Sequence, residues 1–478
     1  MLFNSVEFAV FLPLVFALYW ILKKKGVGAQ NIFLLAASYF FYGWWDWRFL
    51  FLILFSTLTD FYLGKAISAE FSVRKRKLLL TCSILINLGL LGFFKYFNFF
   101  IENFTTAFTV LGGSFEYSRL DIVLPVGISF YTFQTLSYTI DVYKRKIPAT
   151  NSFISFATYV SFFPQLVAGP IERASNLLPQ FEEKRRFDYL KSVDGLRQIL
   201  WGLFKKIVIA DNCAESVNII FNDYNNFSGI TLFLGGVLFA FQIYGDFSGY
   251  SDIAIGTARL FGFNLKQNFA FPYFSRDIAE FWRRWHISLS TWFRDYLYIP
   301  LGGSKGGLAM KIRNTFIIFL VSGFWHGANW TFLVWGFLNA LYFLPLLLRN
   351  KNRINLEVVS KNRLLPTFRE VVSITMTFFA TVIAWIIFRS ESITEAYLYL
   401  FKIFSSSPLD GPEHLPKTTI FLTMIFIVME WFGRENEFGI QKLGWKWNRI
   451  SRLTFYYILI GLILVFSGQK QEFIYFQF

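Results

Sequence analysis

The chain has 478 residues, of which 55% are hydrophobic, 21% aromatic and only 16% charged, with a mean hydropathy of +0.44. A soluble domain carries about 25% charged residues, so this composition excludes an ordinary soluble protein and points to one that crosses a membrane repeatedly. The formal net charge of +15 does not mark a nucleic-acid surface. The lysines and arginines fall in short clusters between apolar blocks, at Lys23 to Lys25, Arg74 to Lys77, Lys144 to Lys146, Lys184 to Arg186 and Arg349 to Arg369, as cytoplasmic loops do. The same clusters attract anionic membrane lipid.

The first apolar block, Phe8 to Leu22, has no basic residue before it and no small-x-small site before Lys23. It reads as a retained span rather than a cleaved leader. Further blocks of suitable length or apolarity cover roughly 31–44, 49–68, 78–99, 122–140, 152–168, 194–211, 229–244, 248–262, 312–325, 330–348, 368–388, 395–405, 418–433 and 453–467, some too short to cross. With Lys23 to Lys25 in the cytoplasm the N-terminus lies outside. The Trp44-Trp45-Asp46-Trp47 loop is then outside, Arg74 to Lys77 inside, the loop with Glu102, Glu116 and Asp121 outside, and Lys144 to Lys146 inside. Cys82 and Cys213 sit singly in apolar stretches and form no metal or disulfide pattern, so no metal is expected. No repeat or appended soluble domain is visible, and 1–478 reads as one membrane domain.

Residues 264–300 depart from this pattern. They hold Lys266, Arg276, Asp277, Glu280, Arg283, Arg284, His286, Arg294 and Asp295, yet Ile278, Trp282, Trp285, Leu289 and Trp292 recur at helical spacing. The expectation is an amphipathic or re-entrant helix at the interface. The turn at 300–307, PLGGSKGG, lacks the spacing of a phosphate-binding loop.

There are three histidines. His414 belongs to a proline-rich loop, 408–416. His326 ends an apolar block in VSGFWHGANW, between Trp325 and Asn329, where an ionisable group is costly and is by default a functional candidate. Its alternative role is a neutral hydrogen-bonding residue between helices. Asp246, among glycines and hydroxyls at 242–252, and Gln134, after LPVG at 124–127, interrupt apolar blocks in a way that requires protein or water partners. Together with Trp325 and Asn329 they are expected to line a polar cavity, as in a transporter or an intramembrane enzyme. G-x-S-x-G and H-E-x-x-H are both absent. A neutral histidine can still take the proton from a hydroxyl that attacks a thioester.

Six stretches carry a resemblance: MLFNS through ASYFFYG (1–43), LPVGISFYTFQ (124–134), FPQLVAGPI (163–171), FWRRWHISLS (281–290), YLYIPLGG (296–303) and SGFWHG (322–327). In order and over nearly the whole chain, they are similar to the membrane-bound O-acyltransferase (MBOAT) family, specifically its bacterial AlgI-like subgroup. The resemblance implies an all-α polytopic fold, a ring of tilted helices with re-entrant segments around a central funnel. It implies that His326 matches the family's essential histidine and His286 its second. The implied donor is a cytoplasmic thioester, acetyl-CoA for acetylation, and the implied partners are an extracytoplasmic acetyltransferase and a polysaccharide acceptor. Arg283 and Arg284 are candidate donor contacts. D-alanyl transfer to teichoic acid, and a lipid or saccharide transporter without enzymatic activity, are the competing readings.

Overall fold

The computed structural model describes every residue except 114–117, 168, 408–410, 469–470, 472 and 475–478. Glu116 of the loop assigned outside, Ala168 of FPQLVAGPI and the first three residues of the proline-rich loop therefore lie outside the described residues. Among the described residues the regular structure is helical throughout. The helices are α1 (Val6–Ile21), α2 (Val27–Asp46), α3 (Leu50–Ala69), α4 (Val73–Leu91), α5 (Phe97–Val110), α6 (Ile128–Tyr143), α7 (Phe153–Ser161), α8 (Phe163–Leu166), α9 (Ala174–Glu182) and α10 (Tyr189–Leu203). They continue with α11 (Asp211–Asn222), α12 (Gly229–Leu260), α13 (Ile278–Arg284), α14 (Ile287–Phe293), α15 (Gly307–His326), α16 (Trp330–Leu348), α17 (Phe368–Arg389), α18 (Ile393–Ser405), α19 (Lys417–Gly433) and α20 (Arg449–Val465).

Seven helical stretches among the described residues are long and apolar enough to cross a membrane: 6–25, 27–69, 73–110, 229–260, 307–326, 330–348 and 368–389. The protein is a multi-pass membrane protein. Its chain divides into two compact units, one of residues 1–192 and 257–266, the other of 193–256 and 267–478.

In the first unit, polar side chains inside apolar helices find partners on neighbouring helices, as a bilayer interior requires. Asp60 of α3 accepts from Ser83 Oγ (2.6 Å) and Asn87 Nδ2 (2.8 Å) of α4, and Thr135 of α6 donates to Asn87 (3.1 Å). Gln134 belongs to this unit. Its amide donates to the Tyr159 carbonyl at 2.6 Å, tying α6 to α7.

In the second unit, α12 meets α10 and a π-helical turn at Phe204–Ala210 along a seam of glycines. A Cβ added at Gly202 would stand 2.5 Å from the Gly249 carbonyl oxygen, and one at Gly256 2.5 Å from that of Gly195. Small residues let helix backbones approach in this way inside membranes. The π turn places Lys205 and Lys206, both buried, against carboxylates. Lys205 Nζ is 2.6 Å from Asp252, and Lys206 Nζ is 2.7 Å from Asp246 and 2.8 Å from Asp211.

Two sequence expectations are corrected here. The blocks 229–244 and 248–262 form one continuous 32-residue helix, because Asp246 is neutralised by Lys206 and needs no break in the backbone. The helical face expected over 278–292 is two short helices, α13 and α14, separated at Trp285 and His286, where φ of His286 is +43°. Replacing Gly202 by Ala forces its methyl onto a backbone carbonyl that cannot swing away. We expect a loss of about 1–3 kcal/mol, seen as a lower melting temperature in detergent. Gly461→Ala in α20, where a Cβ meets nothing within 4 Å, should leave the melt unchanged or slightly raised.

Candidate functional site

The site lies in the second unit and is built on the α15–α16 hairpin. α15 ends at His326, and α16 starts two residues after Gly327–Ala328, with Asn329 as its N-cap. The hairpin closes tightly because Gly323 and Gly336 bring the two backbones together: an added Cβ would lie 2.2 Å from the Phe332 carbonyl and 2.3 Å from the Phe319 carbonyl, respectively. Asn329 accepts from Thr331 N–H at 3.0 Å and donates to the Glu391 carbonyl at 2.8 Å, which fixes the turn beyond His326.

His326 is 6% exposed. Its ring meets Trp335 edge-on at 5.2 Å and Phe388 at 5.4 Å, and Trp325 lies 4.9 Å away. His286 is 1% exposed. Phe247 of α12 meets it edge-on at 4.6 Å, and its ring centroid is 6.1 Å from that of the same Trp325. The two imidazoles therefore flank one indole, in a box of rings that leaves little room for bulk water. His286, His326 and Trp325 are brought together by the fold.

His286 holds a left-handed backbone, a conformation that costs a non-glycine residue about 1–3 kcal/mol and persists only when its surroundings impose it. Asn268 imposes it. The Asn268 carbonyl accepts Ile287 N–H at 2.9 Å, and its Oδ1 accepts Ser288 N–H at 3.2 Å and Ser288 Oγ–H at 2.9 Å. A backbone N–H can only donate, so the amide oxygen is the atom facing this turn. His286 Nδ1, 3.1 Å from that oxygen, must then carry the proton, and the imidazole lone pair is left on Nε2. The Asn268 amide nitrogen donates to Ser251 Oγ of α12 at 3.2 Å. His286 lies outside the seven spans, and burial depresses its pKa to about 3, so the ring is neutral at physiological pH.

Asn268 was not among the sequence candidates. It sits between helices, 18 residues before its partner, and no periodicity announces it.

A cavity of about 510 Å³ opens beside the hairpin, lined by apolar side chains with Arg283, Arg294 and Arg353 among its walls. Ser322, one turn before His326, and Trp282 also line it. Trp282 packs against Trp335 at 5.6 Å, and Trp335 meets His326, so two indoles in series stand between this cavity and His326. Arg283 donates to the Asn352 and Asn355 carbonyls at 2.9 and 2.8 Å. Arg284 points elsewhere: it pairs with Glu280 at 2.8 Å, which also takes Arg276 at 3.0 Å. Asp246 is committed to Lys206 and to the Ile474 N–H at 2.6 Å, which explains its burial without a ligand.

Residues 144–387 match the MBOAT, membrane-bound O-acyltransferase, family. The chain is 38% identical to the probable alginate O-acetylase AlgI of Pseudomonas aeruginosa, over 91% of this chain and 81% of that protein. It is 31% identical to the peptidoglycan O-acetyltransferase of Helicobacter pylori, over 100% and 98% of the two chains. Similarity to the teichoic acid D-alanyltransferase of Bacillus subtilis is lower, 27% over 45% of this chain and 57% of that one.

Asn268→Leu should lower kcat about tenfold or more, one step of roughly 1.4 kcal/mol in barrier, at matched membrane levels. Asn268→Asp keeps an acceptor for Nδ1–H and should retain more activity. A pH–rate profile of each variant separates loss of the tautomer, which shifts the profile, from loss of folded protein, which only scales it.

Proposed function

The chain belongs to the membrane-bound O-acyltransferase family and is an O-acyltransferase, and we propose that it passes acetyl groups across the membrane for O-acetylation of a polysaccharide. The donor in this reading is acetyl-CoA, offered from the cytoplasm. The acceptor is a hydroxyl on the far side, reached through an extracytoplasmic acetyltransferase partner that hands the group to an exopolysaccharide or cell-envelope glycan. The N-terminus lies outside in the cell membrane, which puts Lys23 to Lys25, Arg74 to Lys77 and Lys144 to Lys146 on the donor side.

The observation that carries the proposal is the pair of buried imidazoles on either side of Trp325, with Trp282 and Trp335 between His326 and an arginine-bearing cavity. In the reaction the acceptor oxygen forms a bond to the thioester carbonyl carbon while His326 takes the hydroxyl proton. The C–S bond then breaks, and the thiolate leaves with that proton. His286, with its lone pair on Nε2, orients the acceptor or relays the proton. The arginines of the cavity wall, Arg283 foremost, suit the phosphates of the donor. Arg284, engaged with the buried Glu280, is the weaker of the two donor contacts.

Acetyl transfer is preferred to D-alanyl transfer because full-length similarity runs to O-acetyltransferases and only about half of the chain aligns with a D-alanyltransferase. The test supplies purified protein with acetyl-labelled CoA and its extracytoplasmic partner. General-base catalysis contributes about 10²–10⁴-fold, so His326→Gln should lose that much, roughly 3–5 kcal/mol of barrier, while still inserting and binding the partner. Glutamine can hydrogen-bond but cannot take the proton. His286→Ala should lose less. Near-normal transfer by His326→Gln would make the histidine a packing residue and end the proposal.

A further inference from the structure

Outside the histidine site, a second cavity of about 210 Å³ opens between α12, α17 and α19. Its walls are rings, among them Tyr244, Tyr273, Phe378 and Phe426, and its one charged lining residue is Glu430, 3% exposed. The rings stand edge to face: Tyr244 to Tyr273 at 5.2 Å and Tyr273 to Phe378 at 5.1 Å. The phenol groups are already used. Tyr273 donates to the Ala240 carbonyl at 2.6 Å, and Tyr244 donates to Glu430 Oε2 at 2.5 Å.

Near this cavity the buried carboxylates outnumber the buried lysines. Lys205 and Lys206 face Asp252, Asp246 and Asp211 at 2.6–2.8 Å, and Glu430 adds a fourth carboxylate. Lys205 lies 5.7 Å from the Tyr244 ring centroid but is committed to Asp252. Among the described residues no lysine or arginine comes within 4.0 Å of Glu430. It is also the member of this group that opens onto a cavity. Aromatic rings around a buried carboxylate whose nearest lysine is held 2.6 Å from Asp252 suit an organic ammonium.

The mouth decides the source of that ammonium. It is formed in part by Ile374 and Thr375 of α17, a span of mean hydropathy 2.3, and Thr375 is exposed. An occupant therefore enters from the bilayer side. We propose that this cavity is a binding site for the primary-amine headgroup of a membrane phospholipid, with the ammonium on Glu430 and the adjoining carbons among the rings. Tyr244 and Tyr273 also touch Trp285, at 6.1 and 6.0 Å, the residue before His286, so the lipid braces the turn that holds that histidine.

Native mass spectrometry of the purified protein tests this. Phosphatidylethanolamine should be retained as a one-to-one adduct about tenfold or more tightly than phosphatidylglycerol, and dodecylamine should displace it where dodecanol does not. Glu430→Gln should erase both preferences. Thr375→Phe, at the exposed mouth where folding is not at stake, should block the adduct altogether. Equal retention of the two lipids overturns the proposal, as does displacement by dodecanol as readily as by dodecylamine. So does an undiminished preference in Glu430→Gln or an undiminished adduct in Thr375→Phe.

Discussion

Two adjacent lysines inside an apolar helix are the constraint around which the second unit is arranged. A buried ammonium without a partner is prohibitively costly, and Lys205 and Lys206 are satisfied because α12 presents Asp252 and Asp246 six residues apart, with Asp211 of α11 as a second carboxylate on Lys206. The glycine seam of α10 and α12 brings the backbones close enough for both pairs to form. With α12 held in this way, two of its side chains reach the site: Phe247, edge-on to His286, and Ser251, which receives the Asn268 amide. Asn268 in turn sets the tautomer of His286. In the proposed mechanism the chemistry therefore depends on an ion-pair network that touches neither histidine.

Much of this was legible in the sequence wherever the signal was local. Helix positions followed apolar blocks, and the span at 330–348 was placed at the bounds it has in the structure. His326 stood out because it is an ionisable residue between two glycines at the end of a span. What the sequence hid was pairing over distance. Asp246 read as a gap in a span because its neutralising lysine is 40 residues earlier, and the continuity of α12 went unseen with it. The face over 278–292 kept helical spacing across a real break, since periodicity is blind to one residue with positive φ. Asn268 carries no motif, and its role is visible only once the turn at 286–288 is folded against it.

The same geometry favours a catalyst over a conduit. A transport path must be wet and must exchange partners along its length. Here the two imidazoles are packed among Trp325, Trp335, Phe388 and Phe247. Exclusion of water protects a thioester from hydrolysis and strengthens every polar interaction made with the reacting atoms. Trp282 and Trp335 stand between the cavity beside the hairpin and His326, an arrangement that suits delivery of a reactive group to the base proposed.

The central claim is that donor and acceptor meet this protein from opposite faces of the membrane. Sealed vesicles of defined orientation, carrying the protein and its extracytoplasmic partner, test it most directly, with acetyl-labelled CoA confined to one face and glycan to the other. The account predicts label on the glycan only when the acetyl-CoA is on the face bearing Lys23 to Lys25. Equal labelling with acetyl-CoA on the glycan's own side would contradict it.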